Sequence, residues 1–114
     1  MKIQKVNVSR VVSVYDGDTF RVDIDTWPKL FGYHIPIRIR GINCPEKNSK
    51  DPDRNLIAIN ATAYTKTTLQ NAKSVQLLNV QRGKYFRLIA DVLIDGHDLA
   101  SALLSNGLAE RHQY

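Results

Sequence analysis

Apolar positions recur every second residue along several stretches of the chain and at helical spacing along others. Residues 3–15 are rich in β-branched side chains, including Val6, Val8, Val11, Val12 and Val14. They predict one long strand or two short ones bent at Ser9-Arg10. Residues 19–25 alternate Phe20, Val22 and Ile24 against Arg21, Asp23 and Asp25, the pattern of a half-buried second strand. Residues 33–42 predict a third, with Pro36 at its start or on an edge because proline has no N–H for a ladder. Residues 74–80 and 88–94 predict a fourth and a fifth. Between the third and fourth, Ile57, Ala61, Tyr64 and Thr68 fall at helical spacing, widened by Ala63 and Leu69. Asp53 is placed to cap that helix, over residues 56–71. Its threonines are poor helix formers, so packing must hold its second half. Asp98 can cap a second helix, with Ala100, Leu103 and Leu104 inward and Gly107 stopping it in a left-handed conformation. The pattern alone gives an α+β fold, mainly β, in one domain over residues 1–114.

Two segments interrupt this order. Residues 26–32 carry Trp27, Leu30 and Phe31, punctuated by Pro28 and Gly32, and predict a packed loop rather than an aromatic wall facing a substrate. Residues 47–54 are polar and predict a solvated surface loop.

Composition narrows the partners. The net charge of +5 favours an anionic partner, although charge alone does not separate a binding surface from an unspecialised one. No apolar run approaches the ~20 residues of a membrane span, so no membrane partner is expected. The first residues carry charge without a following apolar block, so no signal peptide is expected in this chain. The single cysteine, Cys44, excludes an internal disulfide and a thiol-built zinc site. His34, His97 and His112 have no ligand spacing and are expected as surface or core residues.

Candidate chemistry lies in two stretches. In Arg38-Ile39-Arg40-Gly41-Ile42-Asn43-Cys44-Pro45-Glu46, a strand with one charged face ends at a glycine and a proline, followed by a carboxylate. A guanidinium to neutralise phosphate and a carboxylate to take a proton from water are groups that phosphodiester hydrolysis needs. Alone, the stretch reads rather as an edge strand with solvated charges. Upstream, Asp16-Gly17-Asp18-Thr19 is either an ordinary hairpin turn or part of a cation site. Asp18, Asn43, the Cys44 carbonyl and Glu46 could supply the oxygens that a hard cation takes.

These motifs, with Lys84-Tyr85-Phe86-Arg87 and Gly107-Leu108-Ala109, resemble the staphylococcal nuclease (thermonuclease) family from about Val11 to Ala109. The resemblance implies a five-stranded OB-fold barrel with two short helices. It also implies a calcium-dependent endonuclease that hydrolyses DNA and/or RNA, single-stranded or frayed, with low sequence specificity. Carried over, Arg38 and Arg87 would stabilise phosphate charge and Glu46 would act as general base. Asp18, Asn43 and the carbonyl of Cys44 would hold Ca2+, while Lys84, Tyr85 and Tyr114 would contact the nucleotide. Asn43 departs from the family, being an amide where a carboxylate is often found, so weaker cation binding is expected. Cys44 would act through its backbone, with an inert thiol. Asp16 is expected to support the turn. A monomer, secreted or periplasmic, is what the resemblance implies. The alternative is a catalytically weak or inactive OB-fold module that binds nucleic acid.

Overall fold

The computed structural model describes residues 5–47, 50–84 and 86–112. The chain runs β1 (Lys5–Asn7), β2 (Arg10–Asp16), β3 (Thr19–Asp23), α1 (Lys29–Gly32), β4 (Ile35–Ile39), β5 (Ile42–Asn43), α2 (Pro52–Gln70), β6 (Val75–Arg82), β7 (Leu88–Ile94), β8 (His97–Asp98), α3 (Leu99–Ser105) and β9 (Glu110–Arg111). It is an α+β fold, mainly β.

The main sheet follows the order β1-β6-β7-β4-β3-β2, with β8 added beside β7. All its ladders are antiparallel except β4 with β7. The two ends of this path are halves of one bent segment. Val8 donates its N–H to Val75 at 2.9 Å and Ser9 donates to Asp23 at 2.8 Å, so consecutive residues bond to opposite ends of the sheet. The bend at Ser9 thus curls the sheet into an OB-like arrangement, although β1 and β2 are not paired with each other. Inside it lie Phe20, Val22, Ile37, Ile39, Leu77 and Val92, all fully buried. Burial of each such side chain contributes about 1.5–3 kcal/mol.

Several expectations need correction. The described residues form more strands and helices than the five and two expected, because β5, β8, β9 and α1 are short elements without a periodic signal. The third strand ends at Ile39 instead of running to residue 42, since Gly41 adopts φ +83° and breaks the ladder. Helix α2 is not short, at 19 residues. Its cap is Asp51, whose side chain accepts from the Asp53 amide at 3.0 Å. Proline is favoured as the first helical residue, so Pro52 moves the start ahead of Asp53. The buried stripe of α2 is Ala58, Ala61, Thr65 and Leu69, and Ala63 is exposed. In residues 26–32 only Trp27 packs against the core, while Leu30 and Phe31 on α1 are exposed. The Asp98 cap of α3 and the left-handed Gly107 are as expected, at φ +69° for the glycine.

Candidate active site

The turn joining β2 to β3 is built against α2. A β-carbon on Gly17 would lie 2.8 Å from both the Ala61 side chain and the Cys44 sulfur, so no larger residue fits there without displacement. The fully buried Thr65 hydroxyl donates to the Gly17 carbonyl at 2.7 Å. A threonine costly to the helix thereby fixes the backbone between Asp16 and Asp18.

Asp18 emerges from this turn as a buried carboxylate. It accepts from the Cys44 N–H at 2.8 Å and from the Thr19 hydroxyl at 3.0 Å, and it pairs with the Arg38 guanidinium. Arg38 also donates to the Asn43 side-chain oxygen. The other side of that amide meets His112 Nδ1 at 3.0 Å. The backbone explains this convergence. Thr19 opposes Arg38 across β3 and β4, and the Ile39 N–H donates to the Asp18 carbonyl at 2.9 Å. Strand β5 pairs with β9, setting Asn43 opposite Glu110, and the His112 N–H reaches the Gly41 carbonyl at 2.9 Å.

These groups open onto a cleft of about 650 Å³ that also takes in Asp16, Glu46, Arg54, Arg87 and Glu110. Arg87 arrives through the parallel ladder: Leu88 pairs with Ile37 and Ile89 with Arg38, so the residue before β7 stands beside β4 two positions short of Arg38. Its Nε is buried without a hydrogen-bond partner among the described residues. Such an atom costs about 1–3 kcal/mol until an acceptor meets it. Glu46 is exposed on the cleft wall. Burial raises the pKa of Asp16 from its ordinary value, and the nearby Asp18 and Glu46 charges add to this, with Lys47 and Arg38 opposing. Burial, with the Asp18 charge, pushes the Cys44 thiol up to about 12. The thiol is therefore protonated at neutral pH and a poor nucleophile.

The structure brings Asp18, Arg38, Asn43, Cys44, Glu46 and Arg87 into one cleft. Lys84 lies outside it, in an adjoining groove that Arg87 also lines. Tyr85 and Tyr114 lie outside the described residues. Sequence reasoning missed Arg54 and Glu110, whose side chains face each other at 4.0 Å, and also the contact of His112 with Asn43. Packing of α2 on the Asp-Gly-Asp turn is the signal for Arg54, because it brings the start of the helix to the cleft. Glu110 and His112 arrive through pairing between distant segments and leave no local signal. Lys47 is not merely solvated: its ammonium lies 4.9 Å from the centre of the Tyr15 ring.

Among the described residues, no three His, Cys, Asp or Glu side chains gather to hold a metal ion. A cation here would use the Asp18 carboxylate with the Asn43 amide and Cys44 carbonyl oxygens. These are hard donors of the kind calcium takes, so the donor chemistry fits. The Asp18 and Asn43 side chains hold the Arg38 guanidinium in this structure. No described helix is long and apolar enough to cross a membrane.

No curated protein matches the chain. A family model, described as staphylococcal nuclease homologue, matches residues 36–114. The match covers most of the chain and includes Arg38, Asn43, Cys44, Glu46 and Arg87, while Asp18 lies ahead of it. This chain belongs to the family of staphylococcal nuclease homologues.

Proposed function

We propose that the chain is a calcium-dependent endonuclease that hydrolyses phosphodiester bonds of DNA or RNA with little sequence preference. The observation that carries this reading is the meeting of Arg38, Arg87 and Glu46 in one open cleft around Asp18. Arg87 offers a buried N–H that lacks an acceptor among the described residues, and a phosphoryl oxygen would satisfy it. Arg38 would fork onto a second phosphoryl oxygen in exchange for its bonds to Asp18 and Asn43. Contacts of that kind accelerate hydrolysis if they strengthen as charge builds on the phosphate. Glu46, exposed on the same wall, would orient a water and take its proton. Calcium held by Asp18, Asn43 and the Cys44 carbonyl would supply further positive charge to the phosphoryl oxygens.

A second reading is a nucleic-acid-binding module that does not cleave. It is favoured by the Asn43 amide, which brings no charge to a cation and is already bonded to Arg38. Glu46 opposes it, since a carboxylate facing a phosphate weakens binding and has no evident use in a module that only binds. Replacing it separates the two. Glu46→Gln is expected to lower kcat on single-stranded DNA by at least ~10²-fold with little change in oligonucleotide affinity or Tm. Unchanged turnover in that variant would remove Glu46 as the base.

A further inference from the structure

Asn43 meets two partners of opposite kind. A guanidinium carries only donors, so the amide atom that faces Arg38 is the oxygen. The amide NH2 therefore faces His112, and the ring nitrogen it meets at 3.0 Å, Nδ1, must accept. Nδ1 is then the unprotonated nitrogen of a neutral ring. The contact is made by the short ribbon of β5 and β9. Asn43 pairs with Glu110, and two steps along the ladder His112 donates its N–H to the Gly41 carbonyl at 2.9 Å. Gly41 has no side chain to meet the ring, which reaches instead to Asn43, its diagonal neighbour across the two strands.

An amide and a carboxylate ask different things of their surroundings. Both ends of a carboxylate are oxygens, so either way round it offers one to a cation. An amide turned over offers its NH2, a donor that no cation takes. Asn43 thus serves a cation in one orientation only. Arg38 secures that orientation while it stays on the oxygen. When Arg38 leaves for a phosphoryl oxygen or gives way to a cation, His112 is the remaining hold on the amide among the described residues.

We propose that His112 is a positioning residue for the cation site: by accepting from the Asn43 NH2, it keeps the amide oxygen turned to the side on which Asp18 and Arg38 converge. The inference rests on the cation reading of the cleft and deepens it, because it explains how an amide does the work of a carboxylate. It also gives a task to a histidine that has no metal-ligand spacing. His112 serves the site through Asn43, not as a ligand.

Titration with calcium alone, followed by calorimetry without substrate, tests this in single and double variants. His112→Phe keeps a ring but removes the acceptor, and is expected to lower calcium affinity about fivefold, the worth of one hydrogen bond. His112→Asn returns an acceptor at the same distance from the backbone and should retain the wild-type affinity. In an Asn43→Asp background, His112→Phe should cost nothing, because a carboxylate has no wrong way round. If thermal melts show that phenylalanine unfolds the chain, His112→Ala takes its place in the same comparison. Equal calcium affinity in wild type and His112→Phe would overturn the assignment. So would a loss in His112→Asn as large as in His112→Phe, or an equal loss in both backgrounds, which would mark a merely structural role. Wild type that takes up no calcium would overturn the cation reading itself, and the positioning role with it.

Discussion

Arg38 and Arg40 have the same parity on paper, yet the structure gives them different work. Arg40 is held by Asp91, Gln81 and the Asn79 carbonyl on the far side of the sheet, where Asn79 at φ +53° forms a bulge in β6. Arg38 faces the cleft, between Asp18 and Asn43. Asn43 is an amide where the family resemblance implies a carboxylate, and that amide makes two different contacts. Its oxygen accepts from Arg38, and its nitrogen meets His112. A carboxylate at this position would add a formal charge beside any cation held by Asp18. At ~4 Å such a charge is worth on the order of 1–4 kcal/mol, and tighter pairing with Arg38 offsets part of it. Asn43→Asp is therefore expected to raise calcium affinity by up to roughly tenfold, measured by calorimetry, with thermal melts as control. Equal affinities and equal melting points would place Asn43 outside the cation shell.

At the scale of elements, the site depends on how closely α2 approaches the turn between β2 and β3. Gly17→Ala forces a methyl to 2.8 Å from Ala61 and Cys44. Overpacking of this kind costs about 1–3 kcal/mol, and here it also displaces Asp18. Denaturant melts should show the loss, with weaker calcium binding alongside it; an unchanged midpoint would mean that the helix yields freely. The same close approach explains what the sequence concealed. Hydrophobic spacing favoured Ile57, Ala61 and Tyr64 as the inward face, and Tyr64 does pack against the core, but a helix pressed on a turn must present small side chains there, hence the full burial of Ala58, Ala61 and Thr65. Elements governed by local chemistry were legible. The fifth predicted strand has the bounds Leu88–Ile94, and Asp98 caps α3 by accepting from the Ser101 amide at 3.1 Å. The cleft motif was legible because Arg38, Asn43 and Glu46 lie within one short stretch. Its opposite rim was not, since Glu110 and His112 come from a segment that meets β5 only after the chain has folded.

Over the whole molecule, charge and shape point the same way. The net charge of +5 favours an anionic partner, the cleft supplies paired guanidiniums and carboxylates, and the adjoining groove supplies cations and an exposed ring. Family membership fits this distribution. The central claim is that these groups hydrolyse nucleic acid with calcium, and one incubation tests it most directly. Heat-denatured DNA is kept with the wild-type protein in calcium or in chelator, and strand length is followed on a denaturing gel. The account predicts progressive shortening in calcium and intact strands in chelator. Strands left intact in calcium, while the protein still binds them, would contradict it and leave a binding module.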